Sequence, residues 1–128
     1  MAKEDLTILV VEDDGPLRTI IRYILEHNGY KNIFEAQDGA TAFGILKSQK
    51  IDFIISDWYM PGVTGLELLR MVREDGDIGR TPFLMLTVER FAESMDAAAR
   101  YGASEYMCKP FKAKALLEKI EKILEKMF

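Results

Sequence analysis

Carboxylates, one hydroxyl and one amine recur in this sequence at the same kind of place, directly after a short apolar or β-rich run. LTILVV is followed by Glu12, Asp13 and Asp14, DFIIS by Asp57, FLML by Thr87 and EYMC by Lys109. If these groups converge, the acids repel one another: two unit charges about 4 Å apart cost roughly 4 kcal/mol at an effective dielectric of 20. Either one carboxyl stays protonated or a cation neutralises the set. An oxygen-only donor set without His or Cys suits Mg2+, with Mn2+ as the alternative. The Thr87 hydroxyl and the Lys109 ammonium are complementary donors for phosphoryl oxygens. An aspartate in such a place can act as a nucleophile and form an acyl phosphate. Phosphoryl transfer needs little else, being mainly positioning and charge stabilisation.

The elements that must bring these residues together are legible as a strict alternation. Strands are predicted over residues 6–11, 32–36, 52–56, 82–86 and 105–108, the first and third as near-continuous apolar runs typical of parallel strands covered on both faces. The first helix carries Leu17, Ile20, Ile21, Ile24 and Leu25 on one stripe, with Pro16 near its start and Gly29 past its end. Asp38 can cap a second helix over 40–47, and its helical spacing overrides the hairpin signal of Asp38-Gly39. Thr64 and Glu67 form a T-x-x-E capping box ahead of the third. An Ala-rich fourth helix is predicted over 91–101, stopped by Gly102, and a lysine- and glutamate-rich fifth over 112–127. Short βα connections imply an α/β domain, a doubly wound parallel sheet with right-handed crossovers and helices on both faces. In such a sheet the strand ends share one edge, where ligand crevices form.

VVEDD, ISDWYMPG with GLELL behind it, LMLT and GASEYMCKPF together resemble the receiver domains of two-component response regulators, most like the single-domain chemotaxis (CheY-like) type. The resemblance spans essentially all of residues 1–128 and implies one (βα)5, flavodoxin-like domain with strand order 2-1-3-4-5. It implies Asp57 as phosphoacceptor and metal ligand, Glu12 and Asp13 as the acidic pair on the metal, and the Tyr59 backbone carbonyl as a further ligand. It also implies Thr87 and Lys109 as phosphoryl contacts and Tyr106 as the switch aromatic. Asp13 with Asp14 is a second register of the acidic pair. Glu12 with Asp13 is preferred, because Asp14 before Gly15-Pro16 looks like a helix cap.

Each residue alone has a plainer reading. Glu12 and Asp13 could be solvated acids near a helix N-terminus, Asp57 a turn residue, Thr87 a β-branched strand end and Lys109 a solvated lysine. His27, before Asn28-Gly29, reads as a helix C-terminal charge, and Cys108 as a small buried hydrophobe. It is their company that favours the site. Four positions are expected to modulate its rate: Val88, where the family usually has a small residue, bulky Tyr59, and the extra acids Asp14 and Glu89.

Of 128 residues, 48% are hydrophobic and 30% charged, which fits one globular domain. A net charge of −4 speaks against nucleic acid as a direct ligand. No apolar run approaches a membrane span, MAKEDL lacks a signal peptide's apolar stretch, and a single cysteine fits the cytoplasm. The expected function is a signalling switch, phosphorylated by a histidine kinase and read by a downstream protein, with the flagellar motor switch as one candidate. It is expected to be a monomer or weak dimer that catalyses its own phosphorylation and dephosphorylation without being a metabolic enzyme. With no tail after the last helix, output is expected from the domain's own surface. The alternatives are an aspartate-nucleophile, Mg-dependent phosphatase, a phosphorelay intermediate and a flavin module. The phosphatase chemistry would want an acid where Tyr59 stands. The flavin module would want a phosphate cradle where the first loop is acidic.

Overall fold

The computed structural model describes residues 2–88 and 92–127. After a short 3-10 turn at Lys3–Asp5, strands and helices alternate: β1 (Thr7–Val11), α1 (Gly15–His27), β2 (Asn32–Ala36), α2 (Gly39–Ser48), β3 (Phe53–Asp57), α3 (Gly65–Glu74), β4 (Phe83–Thr87), α4 (Ala92–Arg100), β5 (Glu105–Cys108) and α5 (Ala113–Met127). All strand pairs are parallel and the sheet order is β2-β1-β3-β4-β5, as predicted.

The period-2 alternation of the strands divides the core. Ile8, Val10, Phe53, Ile55, Leu84 and Leu86 pack with Ile21 and Leu25 of α1 and Leu116, Ile120 and Ile123 of α5. Leu9, Val11, Ile54, Phe83 and Met85 meet Ala42 and Leu46 of α2, Leu68, Leu69 and Val72 of α3, and Ala98 of α4. The three central strands are covered on both faces, which is why their sequences read as unbroken apolar runs.

Helix starts are fixed by side chains that accept orphan backbone N–H groups. Asp14 accepts from Leu17 (3.4 Å), Asp38 from Thr41 (2.7 Å) and Thr64 from Glu67 (3.2 Å). The predicted capping box is therefore half right: the Thr64 hydroxyl donates to Glu67 Oε1 at 3.2 Å, so this carboxylate meets the cap's side chain. Gly102 ends the α4 segment with φ +90°, a backbone that favours glycine. The Lys109–Pro110 peptide bond is cis.

Three strands differ from their predicted bounds. β1 starts after Leu6, whose N–H closes the preceding turn onto the Lys3 carbonyl, although its side chain stays buried. β3 and β4 each begin and end one residue later than predicted. Just before β3, Asp52 meets Thr7 twice: its N–H donates to the Thr7 carbonyl (2.8 Å), and its carboxylate, in place of a backbone carbonyl, accepts from the Thr7 N–H (2.9 Å). At the other end Asp57 and Thr87 are paired strand residues, opposite Leu86 and Cys108. Cys108, expected to be buried, is half-buried on the edge strand β5. Glu89 and Phe91, and with them the predicted start of α4, lie outside the described residues.

Candidate functional site at the carboxyl edge of the sheet

Glu12, Asp57, Thr87 and Lys109 sit where β1, β3, β4 and β5 end. Asp57 is held by the strand beneath it: Trp58 N–H donates both to its Oδ1 (2.9 Å) and to the Leu86 carbonyl (2.8 Å). The chain then turns back so tightly that Gly65, first residue of α3, donates its N–H to the Trp58 carbonyl at 2.8 Å. A Cβ at Gly65 would stand 2.1 Å from the Asp57 carbonyl, so only glycine fits there. The Lys109 N–H donates to the Thr87 carbonyl at 2.7 Å and brings the two residues side by side.

The Lys109 ammonium lies between two acids, 2.8 Å from Glu12 Oε1 and 2.9 Å from Asp57 Oδ1. Glu12 is 1%, Thr87 3% and Asp57 6% exposed, while Asp13 faces solvent. Burial raises the Glu12 carboxyl to about 7; the Lys109 hydrogen bond opposes this and the nearby Asp57 charge adds to it. Burial pulls the Lys109 ammonium down, but hydrogen bonds to Glu12 and Asp57 outweigh it and leave the group above its ordinary value. A buried set with two acids, one base and a third acid at the rim is short of positive charge.

Oxygens of Glu12, Asp13 and Asp57 lie within 4.8 Å of one another, the one such group of possible metal ligands among the described residues. These donors are hard oxygens, one exposed and two buried, and fit Mg2+, which tolerates few protein carboxylates and keeps waters. Asp14 is turned away to cap α1, and its N–H donates to Glu12 Oε2 at 3.3 Å. Tyr59 presents a half-exposed ring, 6.3 Å from the buried Trp58 ring. Val88, 59% exposed, lines an apolar cleft with Leu17, Ile20, Lys109 and Phe111. Tyr106 is half-buried and packs against the α2/α3 side of the core. His27 closes α1 stacked on Tyr23, ring centroids 5.2 Å apart.

Three features were not anticipated. Ser56, fully buried, donates its hydroxyl to the Asp57 carbonyl (2.9 Å). Gly65 makes the close approach just described, signalled only by its place after the Thr64 cap. Arg18 donates Nη1 to the Glu12 carbonyl at 2.7 Å while its Nε pairs with Glu35 at 3.0 Å.

Residues 8–121 match the family model of the response regulator receiver domain, more than half of the chain. The chain belongs to that family. This receiver domain is 44% identical over 122 residues to the chemotaxis protein CheY of Pseudomonas aeruginosa, covering 95% of this chain and 98% of that protein. It is 40% identical over 124 residues to chemotaxis protein CheY-3 of Vibrio cholerae, covering 97% and 95%. Among solved structures, the chemotaxis response regulator CheY4 of Vibrio cholerae superposes with a TM-score of 0.86 at 32% identity, covering 92% of this chain and 98% of that one. The receiver domain of the Francisella response regulator 1452 superposes with a TM-score of 0.88 at 26% identity, covering 96% and 99%. Receiver domains of this type are two-component signalling proteins and not metabolic enzymes. No helix among the described residues is long and apolar enough to cross a membrane.

Proposed function

We propose that the whole chain is a single receiver domain that accepts a phosphoryl group on Asp57 from a histidine kinase, with Mg2+, and then binds a downstream protein. The observation that carries this is the Lys109 ammonium shared between Glu12 and Asp57 at 2.8 and 2.9 Å, beside Thr87. An Asp57 carboxylate oxygen attacks phosphorus, the P–N bond to the donor imidazole breaks, and the imidazole nitrogen takes a proton. Glu12, Asp13, Asp57 and the Tyr59 carbonyl would hold the metal, which supplies the positive charge that an incoming anion needs. Lys109 and the Thr87 hydroxyl bind phosphoryl oxygens, which makes a partly buried ammonium and a buried hydroxyl into anion ligands. Slow hydrolysis by water at phosphorus returns the Asp57 carboxylate and inorganic phosphate. Tyr106 follows Thr87 inward as the output face adjusts.

A cytoplasmic protein fits this reading. Relatives named as chemotaxis proteins favour a flagellar motor component as the downstream partner. A phosphatase would want an acid two residues after the nucleophile, where Tyr59 stands with its ring half exposed. The test is incubation with Mg2+ and a small acyl phosphate, followed by peptide mapping of the labile mass gain, which is expected on Asp57.

A further inference from the structure

We propose that Arg18 is a positioning residue for the divalent-cation site, pinning the backbone carbonyl of Glu12 and with it the turn that presents Glu12 and Asp13. The inference rests on the metal-assisted reading of the site given above. The β1–β2 ladder stops at the pair Val11 and Ala36, and the Glu12 N–H still finds the Ala36 carbonyl at 3.0 Å. The Glu12 carbonyl lies one step beyond the ladder, in a residue only 1% exposed. Leaving a buried carbonyl without a donor costs roughly 1–3 kcal/mol. Arg18 supplies that donor from the second turn of α1, at 2.7 Å.

The guanidinium is itself aimed. Its Nε binds Glu35 Oε1 at 3.0 Å, and the other Glu35 oxygen is taken by Arg22 at 2.7 Å. Glu35 and Ala36, adjacent on β2, thus fix Glu12 by two routes: Ala36 through the N–H, and Glu35 through Arg18 and the carbonyl. A planar fork can serve a carboxylate and a carbonyl together, whereas a lysine ammonium is a point charge on a flexible stem. If the peptide between Glu12 and Asp13 rotates, the oxygens now within 4.8 Å of one another separate. Mg2+ tolerates poor geometry badly, and losing an outer partner of a metal ligand typically costs 10–100-fold in affinity.

Arg22 is an internal control. It shares Glu35 with Arg18 and also pairs with Glu26 at 3.4 Å, but its partners do not include Glu12. The experiment measures Mg2+ affinity by calorimetry and stability in chelator by denaturant unfolding, for wild type, Arg18→Met, Arg22→Met and Arg18→Lys. Arg18→Met is expected to weaken Mg2+ roughly 10–100-fold. Arg22→Met should stay near wild type despite a comparable loss of stability, and Arg18→Lys should fall between. Wild-type affinity in Arg18→Met, or an equal loss in Arg22→Met, overturns the positioning role and leaves the receiver reading standing. If Arg18→Met does not fold, Arg18→Lys against Arg22→Lys decides: weaker Mg2+ binding in the first alone supports the role, and equal binding overturns it. Absence of Mg2+ binding in wild type overturns both readings.

Discussion

Lys109 holds two buried carboxylates at once, and the consequences of removing it follow from what each acid can do alone. In Lys109→Ala, Glu12 can take up a proton near neutral pH, which limits the damage to about 1–3 kcal/mol in chelator, and Mg2+ should narrow the gap. That variant should still accept phosphate to a degree but fail to engage its partner, because the lysine's contact with the phosphoryl group exists only after transfer. Normal partner binding by phosphorylated Lys109→Ala would remove the coupling role. Glu12 gives a pH signature of definite sign. The folded protein holds its proton more tightly than the unfolded chain, at about 7 against 4.5. Stability from this group is therefore full below about pH 4.5 and lost as pH rises through 7. Glu12→Gln, neutral throughout, should gain on wild type from pH 5 to 8 in chelator, by up to about 3 kcal/mol, while binding Mg2+ more weakly. Denaturant midpoints across that range check it, and a constant difference would refute it. The acids, Thr87 and Lys109 were legible because each follows an apolar run. Arg18 was not, because its acceptors are a backbone carbonyl and a carboxylate 17 positions away.

At the scale of elements, the α1–β2 clamp predicts the opposite pH behaviour. Partial burial pushes the Glu35 carboxyl up, but hydrogen bonds from Arg22 and Arg18 outweigh it and hold the group below its ordinary value. Its contribution to stability is present above about pH 4.5 and lost as pH falls through the lowered value. Glu35→Gln should cost about 1 kcal/mol at pH 7, with the difference closing in acid-unfolding curves. The start of α3 gives a steric prediction. Gly65→Ala would drive a methyl into the Asp57 carbonyl, so a loss of about 3 kcal/mol or more is expected, together with slower phosphorylation. A stability equal to wild type would mean the turn relaxes freely. Helix existence and capping were readable from Asp14, Asp38 and Thr64, since those side chains act locally. The ends of β3 and β4 were not, because an apolar pattern cannot show that Asp57 and Thr87 still find partners on neighbouring strands.

Over the whole molecule, the proposed switch requires a new charge at one sheet edge to alter a distant surface. The α4, β5 and α5 face is the candidate, with Tyr106 of β5 half-buried against the core. Moving a two-state surface from about 1:99 to 99:1 takes roughly 5.5 kcal/mol, within reach of several charge-assisted contacts to a phosphoryl group. Amide exchange with a beryllium fluoride mimic should change at β4, β5 and α5, and changes confined to α1 and α2 would contradict that route. The parallel sheet and two-sided core follow from strict βα alternation, which the sequence displays in full, whereas the strand order was implied by the family resemblance and not by the alternation. The central claim, phosphoryl transfer to Asp57 with a divalent cation, is tested most directly by mass spectrometry of the protein incubated with a small acyl phosphate. A labile gain of one phosphoryl group is predicted on Asp57, dependent on Mg2+ and absent from Asp57→Asn. Full labelling of Asp57→Asn, or equal labelling of wild type in excess chelator, would contradict it.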